Sequence, residues 1–215
     1  MEENQRQSPT VSGVLNGISG GLALFCMICF GFGCFTSNTD ETVVKAIYWF
    51  VAEQSGNKVY YGLNSFVTDY VNSDFDLEYN SNSCIMSFCD KCNDDSKDTF
   101  GLLVTSAVFT MIMMALSFCL VANYSFWIQL INIILAVIPT ILSASAIGLF
   151  MGDCRDSVSD YFDDHTDENW DISWGSGGII PLVGMLLMFT IVILQLIAMC
   201  LNCSRSTAMA ATNSY

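Results

Sequence analysis

Charged residues are scarce in this chain. Only 13% of its 215 residues are Asp, Glu, Lys or Arg, whereas 53% are hydrophobic, and the mean hydropathy is +0.48. A soluble domain usually carries roughly twice that share of charged residues. The composition therefore excludes an ordinary soluble domain and indicates a protein that lies in a membrane.

Basic residues are the rarest of the charged ones. Seven Lys or Arg stand against 21 Asp or Glu, which gives a formal net charge of −14. A surface this acidic repels nucleic acid and anionic lipid. We therefore expect no nucleic-acid partner. The partners left are membrane lipid and other membrane proteins, with a second copy of the chain as one option.

Residues suited to catalysis are almost absent. The only histidine, His165, lies in an acidic stretch with no nucleophile placed beside it, and the long apolar runs contain no charged residue. Proton relays and ion-coupled transport paths usually need such residues inside the membrane. We expect no enzyme, no cofactor and no secondary transporter. The amides of Asn16, Gln129, Asn132 and Gln195 are expected to make hydrogen bonds between helices.

Four apolar runs dominate what the chain does contain. Crossing the hydrocarbon core takes about 20 consecutive apolar residues, and residues 14–35, 100–121, 126–151 and 179–201 meet that length. The intervening segments are 1–13, 36–99, 122–125, 152–178 and 202–215. We predict an all-α membrane four-helix bundle with a small extracellular β-structured module in the first loop, 36–99.

Charge and cysteine place the two long loops on one side of the membrane. The first loop holds eleven acidic residues against four lysines, and the second loop, 152–178, holds eight against Arg155 alone. Four loop cysteines are disulfide candidates, and disulfides persist in oxidising compartments. We predict outer loops, cytosolic termini and a location in the plasma membrane.

The first loop has the composition of a β-hairpin. Residues 54–57 (Gln-Ser-Gly-Asn) resemble a turn between two arms, 41–53 and 58–71. Apolar residues alternate in the second arm, which predicts a strand. The first arm is rich in Val, Tyr, Trp and Phe and favours a strand too, although its periodicity also allows a helix. The acidic stretch 90–98 is expected to lead through a short helix or turn into the second span.

The loop cysteines are Cys84, Cys89, Cys92 and Cys154. Four cysteines allow three connectivities, and Cys34 is a fifth candidate. Cys84 and Cys92 are expected to join larger loops, and Cys89 and Cys92 could pair locally or bridge to Cys154. A zinc site is the alternative, but four ligands in a standard spacing are not visible. We therefore expect structural disulfides and no metal.

Three weaker patterns complete the list of candidate sites. Cys200 and Cys203 follow the fourth span and are candidates for S-palmitoylation, with plain apolar residues at a helix end as the equal alternative. Gly13, Gly17 and Gly21 share one helical face and predict close helix packing, within the chain or in a homodimer. The acidic run 153–168 lacks the pattern of an EF-hand and is expected to be a solvated loop.

The order of loops resembles that of the claudin and peripheral-myelin-protein superfamily. In that family a β-structured first loop carries an early tryptophan, then Gly-Leu-Trp, then two disulfide-bonded cysteines. Trp49 and Gly62-Leu63 match the first two features, whereas Asn64 replaces the second tryptophan and Val67 stands near the first cysteine's place. The resemblance implies that Cys84 takes the second cysteine's place with a different partner.

The resemblance implies a function in adhesion or membrane organisation, through lateral or cell–cell protein contacts. Two alternatives remain open at this point. One is an auxiliary subunit of a channel or receptor. The other is a small oligomeric pore that gathers cations at its acidic mouth, for which Asp163 and Asp164 are the residues to neutralise.

Overall fold

Four of the described helices are long and apolar enough to cross a membrane. The computed structural model describes residues 11–37, 39–70, 73–80, 84–166 and 170–212. The four long helices are α1 (Val11–Phe35), α3 (Phe88–Ala122), α4 (Phe126–Gly148) and α6 (Ser176–Thr212). α1 packs against α3 and α6, and α4 packs against the same two helices. The four membrane-length helices expected of a multi-pass protein are therefore present.

α3 and α4 extend well beyond their apolar runs into the two long loops. α3 begins at Phe88, twelve residues before its run, and α4 continues through a π-helical turn (Leu149–Cys154) into α5 (Arg155–His165). Much of the second loop is thus a helix where an irregular loop was expected, whereas its described acidic residues are solvent-exposed as expected. The reason is that α5 buries Val158 and turns Tyr161 and Phe162 towards the protein core, while its acidic residues stay exposed.

A five-stranded antiparallel sheet caps one end of the helices. Its strands are β1 (Phe50–Gln54), β2 (Asn57–Tyr61), β3 (Ser65–Tyr70), β4 (Ser73–Glu78) and β5 (Asp171–Trp174). The spatial order is β4-β3-β2-β1-β5, so β5 comes from the second loop and pairs with β1. The expected β structure in the first loop is present, and the second loop completes it.

The first arm of the hairpin is partly helical. Residues Glu41–Ala46 form α2, and only Phe50–Gln54 form a strand. Asp40 explains the helix, because its Oδ1 accepts a hydrogen bond from Thr42 N at 2.9 Å and caps the first turn. Ser55 and Gly56 then make the turn, with φ of 50° and 85°, as a two-residue hairpin with right-handed twist requires.

Amide side chains connect the long helices inside the protein. Gln129 of α4 donates to Gln195 of α6, and Asn132 Nδ2 donates to Ser117 Oγ of α3 at 2.9 Å. All four side chains are fully buried. Asn16 of α1 is also fully buried, but neither polar atom of its amide has a partner among the described residues. Buried amides therefore connect α4 to α3 and α6, whereas the amide of Asn16 makes no such connection among the described residues.

Candidate functional site: a platform of sheet, rings and disulfides

The sheet unites both loops in one body, here called the platform: α2, the five strands, residues 84–99 and α5. β1 connects the two loops, because it pairs with β2 of the first loop on one side and with β5 of the second loop on the other. The register places Phe50 opposite both Tyr61 and Trp174. The two loops therefore lie at the same end of the long helices and behave as one surface.

A chain of aromatic contacts attaches the sheet to the helices. Phe50 stacks on Tyr61 with ring centroids 4.5 Å apart, and Phe88 at the start of α3 lies 6.1 Å from Tyr61. Phe88 in turn contacts Tyr161 of α5 at 5.3 Å. Aromatic pairs of this kind contribute beyond the area that they bury. The inner face of the sheet is thus held against α3 and α5 at once.

Trp49 anchors the start of the sheet. Its fully buried ring meets Phe150 of the π-helical turn edge-on at 5.2 Å. Its Nε1 donates to Thr36 Oγ1 at 2.7 Å, and that hydroxyl donates to Gly33 O at the end of α1. The indole N–H thus has the partner that a buried donor requires. Trp49 fixes β1 to α1 and to the helix that continues α4.

Glycines at the junction of β5 and α6 allow a close contact with the backbone of Tyr48 and Trp49, here called the seat. Gly175 N donates to Trp49 O at 2.7 Å, and Gly177 N donates to Tyr48 O at 2.8 Å. A Cβ at Gly175 would lie within 3.0 Å of Tyr48 O and 2.6 Å from Tyr48 Cε2, closer than real Cβ contacts come. Only a residue without a side chain fits here. The sequence interpretation missed this seat, although the signal Trp174-Gly-Ser-Gly-Gly was visible.

A second close approach surrounds Gly62. Its N–H donates to Ser65 O at 2.9 Å, and a Cβ would meet Thr36 O at 3.1 Å. The hydroxyl of the buried Tyr79 donates to Gly62 O at 3.1 Å. Burial raises the pKa of that Tyr79 hydroxyl well above its usual value. Tyr79 therefore stays neutral and closes the end of the sheet.

The four candidate cysteines form two disulfides. Cys84 pairs with Cys89, and Cys92 pairs with Cys154 across 62 residues of chain. Cys92 thus joins a larger loop as expected, whereas Cys84 closes a short one, Cys34 is in neither pair, and the local pairing within the C-x-x-C spacing does not occur. Lys91 reinforces the longer bridge, since its Nζ lies 3.2 Å from Asp95 and 3.3 Å from Asp153. α3 and the π-helical turn are thus joined covalently and ionically.

The shorter disulfide closes a small loop that presents Ile85. The side chain of Ile85 is 91% exposed. It lies between Cys84 and Cys89, directly before α3 begins. A single exposed aliphatic residue is ordinary on a protein surface. Its position on a covalently closed loop at the tip of the platform is what distinguishes it.

A cavity of about 260 Å³ lies between the inner face of the sheet and α5. Strand residues form one wall, α5 forms the other, and Met86 and Phe88 contribute from the start of α3. Its lining is largely aromatic: Val59, Tyr61, Phe66, Thr68, Met86, Phe88, Tyr161, Phe162, His165, Thr166 and Trp170. His165 is exposed and stacks on Tyr161 at 4.4 Å, which places the opening near the end of α5.

The remaining predicted sites lie elsewhere. Cys200 and Cys203 are exposed on α6, far along the chain from the platform. Gly13 is buried, a Cβ at Gly17 would lie 3.7 Å from Val121, and one at Gly21 would meet nothing within 4 Å. The closest helix approaches are made by three other glycines, namely Gly20 against Phe118, Gly33 against Pro181, and Gly184 against Cys29.

The acidic run does not gather into a cation site in the part of the chain that the structure describes. Asp153, Asp156, Asp160, Asp163 and Asp164 follow the turns of one helix, and the described residues contain no group of three metal-ligating side chains. Asp167 and Glu168 lie outside the described residues. The candidate site is therefore the platform as a contact surface, with its cavity and its exposed loop.

Comparison with known proteins leaves the platform to be interpreted from its own geometry, since no family model matches this chain and no curated protein matches it.

Proposed function

We propose that this protein is a claudin-like multi-pass protein of the cell surface that acts through lateral or cell–cell protein contacts. The observation that carries the proposal is the platform itself. Both loops build one sheet, aromatic rings hold that sheet against the start of α3 and the π-helical turn, and two disulfides brace the helical side of the platform. Such a rigid surface is suited to recognition, because little order has to be gained when a partner binds.

The claudin resemblance is supported by where its motif residues lie. Trp49 and Leu63 are fully buried, and Gly62 lies against the backbone of Thr36. All three residues therefore contribute to the structure at the ends of β1 and β2. The bracing differs from the family pattern, since Val67 faces Asp76 across β3 and β4 where the resemblance implies a cystine. Here the disulfides brace the helical side of the platform instead.

The disulfides support an outer location for the platform. Both bridges lie at the sheet-bearing end, and disulfides persist in secreted or surface-exposed parts of proteins. In a four-span arrangement the opposite end, with the turn 123–125, then faces the cytosol together with Cys200 and Cys203. The proposal therefore includes termini in the cytosol and a four-helix bundle across the plasma membrane.

The height of Ile85 favours contact with an apposed surface. Residues 88–99 of α3 precede its apolar run, and twelve helical residues span roughly 18 Å. Ile85 precedes that extension and is 91% exposed. Burying an isoleucine side chain contributes about 1.5–3 kcal/mol. One such anchor on each molecule is a useful share of a weak, multivalent cell–cell contact.

An aggregation assay tests this proposal. Suspension cells expressing the protein are mixed with cells that express it or lack it, and clusters are counted. We expect expression to increase clustering and Ile85→Asp to reduce it. Ser55→Asp is the matched control, because it adds the same charge on an exposed turn of the platform and leaves Ile85 intact.

Chemical crosslinking on intact cells covers the lateral case. A stoichiometric foreign membrane protein in the crosslinked product would favour the auxiliary-subunit alternative. If expression of the protein left clustering unchanged and no neighbouring protein were crosslinked, the contact function would be refuted. Labelling of the reduced platform cysteines only from the cytosolic side would refute the orientation.

A further inference from the structure

The cavity under the sheet combines an apolar interior with an acidic surround. Among the described residues, its lining contains no Asp, Glu, Lys or Arg, and six of the eleven lining residues are Phe, Tyr or Trp. Four carboxylates stand exposed on the elements that flank it: Asp160, Asp163 and Asp164 on α5, and Asp171 at the start of β5. The flanking cation Arg155 is engaged with Ile172 O.

The side chain of arginine or lysine has the matching composition. Its aliphatic stem packs on apolar surface while its charged head stays near water. Aromatic rings attract such a cation, and arginine stacks on them. A cavity of about 260 Å³ is smaller than the 300 Å³ at which most small-molecule pockets begin. It has the size for one inserted side chain.

His165 adds a hydrogen-bond acceptor at the opening. Its Nδ1 lies 2.9 Å from Tyr161 O. A carbonyl oxygen only accepts, so Nδ1 donates to it, and in the neutral tautomer with the proton on Nδ1 the other ring nitrogen, Nε2, is an acceptor. An N–H of an incoming guanidinium or ammonium group can donate to it.

We propose that this cavity receives an arginine or lysine side chain of a basic partner protein. The proposal rests on the proposed contact function and names its partner class. A second copy of this chain is poorly suited, because each copy carries a formal charge of −14. Three of the four lysines in the platform are also engaged, Lys45 with Glu41, Lys58 with Glu53, and Lys91 with Asp95, and the fourth, Lys97, lies exposed on α3 next to its apolar run.

Peptide binding tests the proposal directly. The full-length protein is reconstituted in nanodiscs of neutral phosphatidylcholine, and fluorescence anisotropy measures its affinity for a labelled Gly-Ser peptide that contains three arginines. The control peptide has citrulline, a neutral isostere, at the same positions. We expect the arginine peptide to bind at least tenfold more tightly, and high salt to weaken its binding.

Two pairs of variants locate the site. Tyr161→Leu removes a ring from the cavity wall, and we expect it to weaken binding about tenfold. Tyr60→Leu is the control, because Tyr60 alternates with the lining residues on β2 and contacts Tyr48 instead. Neutralising Asp163 and Asp164 should weaken binding about threefold, whereas neutralising Asp94 and Asp98, an exposed pair on α3, should change it less.

Several results would overturn the proposal. Equal binding of the arginine and citrulline peptides would do so without any variant, even if Tyr161→Leu failed to fold. Equal effects of Tyr161→Leu and Tyr60→Leu would show unspecific attraction. Tighter binding of a leucine peptide would assign an apolar occupant, and self-association lost in Tyr161→Leu would assign a second copy. If cells cluster but the protein does not distinguish the arginine peptide from the citrulline peptide, only this inference is refuted. If the protein does distinguish the two peptides but cells do not cluster and no neighbour is crosslinked, only the contact function is refuted.

Discussion

Replacing Gly175 by alanine should release the seat between β5 and α6. The added Cβ would lie 2.6 Å from Tyr48 Cε2, about 0.8 Å short of the 3.4 Å at which ordinary contact begins, and still nearer to Tyr48 O. The ring could move, but the carbonyl belongs to the backbone that leads into β1. Relief therefore requires β5 to withdraw from β1, which breaks the bonds of Gly175 N to Trp49 O and Gly177 N to Tyr48 O.

The expected cost follows from these two effects. Overpacking costs about 1–3 kcal/mol, and each lost hydrogen bond adds about 1 kcal/mol. We expect a loss of about 4 kcal/mol, which lowers Tm by roughly 10 °C for a chain of this size. Thermal unfolding of the purified protein in detergent measures it, followed by tryptophan fluorescence.

The control is Gly101→Ala in α3, where the new Cβ would meet nothing within 4 Å. It should leave Tm unchanged or raise it slightly, because alanine favours a helix over glycine by about 1 kcal/mol. Equal Tm values for the two variants would refute the reasoning, since they would show that the Gly175 contact is not tight in solution.

Three further predictions concern stability. Replacing Cys92 and Cys154 together by serine should lower the free energy of unfolding by about 4 kcal/mol, and removing the shorter disulfide should lower it by about 2 kcal/mol, because the closed loop is longer in the first case. A denaturant titration that gave the reverse order would contradict this prediction. Tyr79→Phe should cost about 1 kcal/mol near pH 8 through the lost hydrogen bond. The deficit in the free energy of unfolding of Tyr79→Phe against the parent should narrow by up to about 1.4 kcal/mol per pH unit above pH 10, because the raised pKa of Tyr79 means that ionisation favours the unfolded parent chain there. A constant deficit in unfolding titrations between pH 8 and 12 would exclude this pH dependence. Asn16→Leu should be neutral or stabilising, since its amide has no partner among the described residues, whereas Asn132→Leu should destabilise by about 1–3 kcal/mol by removing a bonded partner; equal Tm values would count against the difference.

The long helices were predictable because one property decides them. An uninterrupted apolar run of some 20 residues has few alternatives to a membrane-length helix. The helix ends were not predictable by that rule, since residues 88–99 and α5 are polar. They are held by contacts distant in sequence, such as the disulfide of Cys92 with Cys154 and the ring contact of Phe88 with Tyr161.

The platform was predictable only in its local parts. The hairpin turn at Ser55-Gly56 has a recognisable composition, whereas the β-rich composition of the first arm favoured a strand where α2 forms. The pairing of β5 with β1 joins residues more than 100 positions apart. No periodicity within either segment indicates such a partner, and the cavity under the sheet is likewise lined by residues from both loops, far apart in sequence.

The disulfide between Cys92 and Cys154 also determines how a pulling force would travel through the molecule. Tension applied at the tip near Ile85 passes through the Cys84–Cys89 loop into α3 and, across the second bridge, into the helix that continues α4. Two long helices then carry the load in parallel through covalent bonds, and the hydrogen bonds of the sheet lie outside that line. A reducing agent would break both bridges, and the two helices would then no longer share the load through covalent bonds.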